Sequence, residues 1–158
     1  MSGRCDGTFN CDKLVTNQLE IPPGAIAAEA SVGRYTVHHS EPAGTAVTSK
    51  STIFHHFAEA GKVREVNLQL HTAPDGGDRQ YTVEVKKGSA GAPSTILTGA
   101  ITADNADTDY AVLVGTLTSS PVACAAGDFL MIEVTASGSS GTQGQGFCLS
   151  VVIDQDPV

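Results

Sequence analysis

Hydrophobic and polar positions alternate with a period of two over much of this chain. The alternation is cleanest from Val63 to His71, where Val66, Leu68 and Leu70 face one way and Asn67 and Gln69 the other. A strand with one buried and one wet face follows. After the turn Pro74-Asp75-Gly76-Gly77-Asp78, Tyr81, Val83 and Val85 alternate with Thr82 and Glu84, and a turn of that composition predicts an antiparallel hairpin between the two runs. Further strands are predicted over Arg34 to His39, Val47 to Phe57, Ser94 to Thr102 and Phe147 to Ile153, each bounded by Gly, Pro, Asp or Ser.

The most apolar region is Tyr110 to Thr135. Ala111 to Leu117 is a short run with β-branched residues. Phe129 to Thr135 puts Leu130, Ile132 and Val134 on one face and Phe129, Met131 and Glu133 on the other. Strands apolar on both faces belong in the middle of a sheet, so this pair is expected to form the centre of a sandwich, covered on its second face by a neighbouring subunit or an arm. Pro121 and the turn at Ala126 to Asp128 interrupt any ladder between the two.

The count is eight strands, and eight antiparallel strands in two sheets make an all-β, jelly-roll-like β-sandwich. A seven-stranded sandwich of immunoglobulin type is the alternative, weakened by the lack of Trp and of a cysteine pair at its usual spacing. Residues 1–33 differ: Pro22-Pro23-Gly24 interrupts them, no periodicity is sustained, and Leu14, Val15, Leu19, Ile21 and Ile26 are more apolar than a free tail requires. The expected organisation is an extended N-terminal arm over 1–33 and a sandwich domain over 34–158.

Composition narrows the function. The 158 residues carry 17 acids against 9 bases, a net charge of -8, with no basic cluster larger than Lys86-Lys87, so no nucleic-acid footprint is present. No apolar segment is long enough to cross a bilayer as a helix, and the first residues lack the apolar middle of a signal peptide, so the expectation is a soluble chain with no membrane partner. Cys5, Cys11, Cys124 and Cys148 allow three disulfide pairings. A local pair in each half is the simplest pairing, but for Cys124 and Cys148 the stronger reading is a small buried hydrophobe with a free thiol.

Candidate chemistry is sparse. Asp104, Asn105, Asp107 and Asp109 place oxygen ligands at near-alternate positions, as a calcium loop does. They equally describe a solvated turn before a strand, and they lack the glycine and distant Glu of an EF-hand. His38-His39 and His55-His56 are two pairs whose members point to opposite faces; His39 and His55 could meet across strands, without an evident third ligand. No nucleophile elbow, HExxH, phosphate loop or dinucleotide fingerprint occurs, and no enzyme is expected. A carbohydrate-binding module competes with a structural role, with Tyr35, Tyr81 and Tyr110 as its only rings with plausible exposure.

From about Leu19 to Ile153 the chain resembles small structural proteins of tailed-bacteriophage virions. The segments that carry the resemblance are LEIPPGAIAAEASVGRYTVHH, STIFHHFAEAGKVREVNLQL, YTVEVKKGSAGAPSTILTGAI and VACAAGDFLMIEVTASGSSGTQGQGFCLSVVI. The resemblance implies a jelly-roll subunit at the capsid surface. Its role would be decoration (cement) protein or part of a head fibre, as a homotrimer bound to the major capsid protein. On that reading the contacts to the lattice fall on Leu14, Val15, Leu19, Ile21 and Ile26, and a host glycan is the alternative partner. The segment with Cys5 and Cys11 has no counterpart in the pattern.

Overall fold

The computed structural model describes residues 33–89 and 91–155. Ten strands run through them: β1 (Gly33–Ala46), β2 (Lys50–His56), β3 (Gly61–Thr72), β4 (Gln80–Gly88), β5 (Ser94–Thr95), β6 (Ile101–Ala103), β7 (Val112–Gly115), β8 (Val122–Cys124), β9 (Phe129–Ser137) and β10 (Gln145–Gln155). They form two antiparallel sheets. In sheet A the order is β1-β10-β3-β7, with β8 also on β3; in sheet B it is β2-β9-β4-β5, with β6 also on β4.

The ten strands occupy eight positions, because β5 with β6, and β7 with β8, are each one edge position broken in two. Four positions per sheet, with the chain crossing repeatedly between sheets, is the jelly-roll arrangement that the strand count predicts. The breaks follow from composition: Thr98-Gly99-Ala100 separates β5 from β6, and Ser119-Ser120-Pro121 separates β7 from β8.

Two expectations are corrected. β3 and β4 are not a hairpin. β3 pairs with β10, β7 and β8, and β4 with β9, β5 and β6, so the turn after Ala73 carries the chain from one sheet to the other. The run Ala111 to Leu117 is not central either. β7 lies at the edge of sheet A with Val112 and Val114 exposed, whereas β9 does run in the middle of sheet B. The central strand of sheet A is β10, whose inward side chains Phe147, Leu149, Val151 and Ile153 are all inaccessible to solvent. They meet Leu130, Ile132, Val134, Tyr81, Val83 and Val85 of sheet B in one core.

A bulge in β3 re-aims two side chains. On β3 the register with β10 slips between Glu65 and Val63, so Arg64 and Glu65 both leave the core. That slip sets Arg64 Nε 2.6 Å from Asp154 Oδ2, while Arg34 Nε donates to Asp154 Oδ1 at 2.7 Å. Asp154 thus ties β1, β10 and β3 together from the middle strand. The hydrogen bond from Arg34 comes first among the effects that hold its carboxyl at about 2, with Arg64 adding to it against burial. Asp78 is also held at about 2, by the backbone N–H groups of Ser140 and Ser139 and by the Ser140 hydroxyl. Both carboxyls sit below their ordinary value of 3.8, so the stability they contribute is present above about pH 3.8 and is lost as pH falls towards 2. Denaturant midpoints recorded between pH 5 and 2 should fall steeply for the wild-type chain and less steeply for Asp154→Asn; an unchanged slope in the variant would remove Asp154 from this role.

Candidate functional site

The sandwich has two ends. One carries the turns 73–79, 104–111 and 138–144, and the other carries the turns 57–60 and 125–128 with Gly33 and Gln155. Asp75, Asp78, Asp104, Asp107 and Asp109 crowd the first end, where Arg79 is the basic residue of those turns.

The turns at this end are locked into one another. Asp78 Oδ1 accepts from Ser139 N at 2.8 Å, Ser140 N at 2.7 Å and Ser140 Oγ at 2.9 Å, and Asp75 and Thr142 exchange two backbone hydrogen bonds. Gly138 and Gly141 adopt φ of +90° and +88°, and a Cβ on Gly141 would land on the Gly76 carbonyl. Only glycine satisfies both the backbone angle and the close approach.

The acidic set Asp104, Asn105, Asp107 and Asp109 serves this lock. Asp104 N donates to Asp107 Oδ2 at 3.0 Å, Ala106 N to Asp104 Oδ1 at 2.8 Å, and Ala73 N to Asp109 Oδ1 at 2.9 Å. Asn105 Nδ2 donates to Gly77 O at 3.4 Å. The carboxylates therefore cap backbone donors of their own and the neighbouring turn. An open groove of about 480 Å³ runs beside them, lined by Thr72, Pro74, Asp75, Asp107, Thr108 and Asp109. Among the described residues no three His, Cys, Asp or Glu side chains are grouped to hold a metal ion.

The histidines divide between faces as expected. His39 lies 2.9 Å from Glu41 Oε1 and packs on Phe54 and Phe147. His55 lies 3.2 Å from the Tyr35 hydroxyl and edge-on to Phe57. The structure thus gives His39 and His55 separate partners instead of one shared site. Burial, then the neighbouring His56, holds the His55 ring below its ordinary value. Burial pushes Glu41 up, and hydrogen bonds from Lys50 and His39 outweigh it, leaving the carboxyl below its ordinary range.

Of the three tyrosines, Tyr110 alone is exposed; Tyr35 is half-buried against His55, and Tyr81 is inaccessible. The Tyr81 hydroxyl is buried with no hydrogen-bond partner. Tyr81→Phe removes an unpaired polar group from the core, so stability should be unchanged or rise by up to about 1–3 kcal/mol. A loss above about 1 kcal/mol in urea unfolding would reveal a partner for that hydroxyl.

Cys124 and Cys148 are free thiols, so the second half carries no local pair and the free-thiol reading holds there. Cys124 stands opposite Gly61 and Cys148 opposite Gln69 on β3, positions about 27 Å apart along a strand, far beyond the reach of a disulfide. Burial pushes the Cys124 thiol up to about 11. Cys5, Cys11 and the arm positions Leu14, Val15, Leu19, Ile21 and Ile26 lie outside the described residues.

Sequence reasoning missed two features. One is the Asp154 tie, whose only signal is an acid at an outward position of an otherwise apolar strand. The other is the outer face of sheet A beside β7, where Tyr110, Val112 and Val114 are 68%, 57% and 72% exposed.

No family model matches the chain, and no curated protein matches it. Solved structures do. The capsid of Ralstonia phage GP4 aligns at TM-score 0.52 and 13% identity, over 80% of this chain and 86% of that one. Turnip yellow mosaic virus aligns at TM-score 0.38 and 12% identity, over 80% of this chain and 94% of that one. The T13 particle of infectious bursal disease virus aligns at TM-score 0.39 and 13% identity, over 80% of this chain and 31% of that one. The phage GP4 chain shares the fold described above.

Proposed function

We propose that this chain is a non-enzymatic structural protein of a virion, a jelly-roll subunit that works by binding other protein subunits. The observation that carries the reading is the arrangement in eight positions, shared with the phage GP4 capsid chain over most of both chains. The side chains add support: the carboxylates at the acidic end cap backbone donors of the turns. The finer assignment is a decoration protein on the outside of a phage head, a homotrimer held to the major capsid protein through the arm residues Leu14 to Ile26. Many weak contacts repeated over a lattice add up by multivalency.

Native mass by light scattering and co-sedimentation with purified heads lacking the protein test this assignment. Three subunits per particle and saturable binding to heads are expected. A chain that neither trimerises nor sediments with heads would refute the decoration role, and saturable binding to an immobilised glycan instead would move it to a receptor-binding module.

A further inference from the structure

Among the described residues four large hydrophobic side chains are exposed, and three of them lie together, Tyr110 in the turn before β7 and Val112 and Val114 at alternate positions of β7 itself. The hydrogen bond from Leu70 N to Ala111 O, 2.9 Å, sets the phase of this edge on β3. In an antiparallel ladder the hydrogen-bonded pairs alternate, so Leu113 and Gly115 turn their N–H and C=O groups towards β3, as Ala111 turns its C=O, while the Ala111 N–H donates to Thr108 O. Val112 and Val114 turn theirs outward, where among the described residues no strand pairs with them.

Natural edge strands are blunted with Lys, Pro or inward charges against pairing with another chain. β7, Val112-Leu113-Val114-Gly115, is short, at four residues, but carries no Lys, Pro or charge. The rows beside it carry no Asp, Glu, Lys or Arg either. Val112 continues across the sheet into Gln69, Cys148 and Ser40, and Val114 into Asn67, Ser150 and His38. Copies of a chain with net charge -8 repel one another wherever acids face acids, and a band with no Asp, Glu, Lys or Arg lets them approach.

We infer that β7 is a strand-pairing edge for a second copy of this chain, joined β7 to β7 antiparallel about a twofold axis so that sheet A continues from one subunit into the next. A strand paired antiparallel with its own copy satisfies twofold symmetry by construction. The register that sets Val112 opposite the partner subunit's Val114 engages both outward N–H and both outward C=O groups of each strand. No acid lies within β7, so in that register no acid of one strand meets an acid of the other. The inference does not rest on the virion reading, and it concerns a contact separate from any threefold.

The test is sedimentation of the full chain over a concentration series, with Val114→Lys and the double variant V112C/V114C. Mass that rises with concentration is expected. Val114→Lys, at an exposed position, should keep the circular dichroism spectrum and thermal midpoint and weaken association at least about tenfold, because lysine then meets the partner's edge near its own copy. Opposed residues of a hydrogen-bonded pair lie about 5.5 Å apart at Cα, within disulfide range, so oxidised V112C/V114C should yield a peptide joining 112 of one copy to 114 of another. Association unchanged by Val114→Lys would overturn the inference. So would a mass that stays constant with concentration; slow amide exchange at Val112 and Val114 in such a sample would show that some other segment covers the edge.

Discussion

Phe147→Ala should lower the stability of the sandwich by about 3–5 kcal/mol, read as a shift in the denaturant midpoint with little change in slope. Phe147 is inaccessible to solvent and sits on β10, the strand that sheet A is built around. Its ring stacks on Tyr81 of sheet B at 5.9 Å between centroids and faces His39 of β1 at 6.2 Å. Removing it leaves a void where the two sheets meet, lined by groups held on separate strands that cannot all move in to fill it. Phe147→Leu keeps most of the volume and should cost about 1–2 kcal/mol. Equal losses for the two variants would mean that the ring's shape, and not the void, sets the cost.

Gly141→Ala should cost about 3 kcal/mol or more, a loss rare for a single methyl group at a solvent-exposed position. Two terms add. A left-handed backbone angle with a Cβ costs about 1–2 kcal/mol, and the methyl would also overlap the Gly76 carbonyl, forcing apart the turns that Asp78, Ser139 and Ser140 hold together. Gly127 separates the terms: its φ is also +88°, with nothing within 4 Å of its Cβ position. Gly127→Ala should therefore show the first cost alone. Thermal midpoints of the two variants measured side by side check this, and similar midpoints would mean that the turns yield without penalty.

Much of this fold is legible in the sequence because burial on one face writes itself as alternation. Val66-Asn67-Leu68-Gln69-Leu70 reads directly as a strand with one face in the core, and Leu130, Ile132 and Val134 read as the inward face of β9. Alternation gives the face of a strand but not its partner. The Pro74-Asp78 turn can close a hairpin or carry the chain over to the opposite sheet, and nothing local distinguishes the two. The same limit misplaced β7, since Val112-Leu113-Val114 reads as buried on both faces whether it lies inside a sheet or at an edge waiting for a partner.

The bulges at Arg64 and in β2 leave no pattern of their own, because an extra residue in a strand only breaks the alternation it interrupts. The acidic set at 104–109 was legible as a turn or a calcium loop. Two of its backbone partners, Ala73 N and Gly77 O, belong to a turn some thirty residues away in the chain. No spacing rule reaches that far.

The proposed virion role makes this jelly roll part of a particle. It is tested most directly by measuring the chain's amount, against the main shell protein, in virions purified by density banding and washed with salt. The chain should co-purify in a fixed ratio to the shell protein across the band. A ratio that drifts through the gradient, or a chain found only in the soluble fraction of the lysate, would contradict the account.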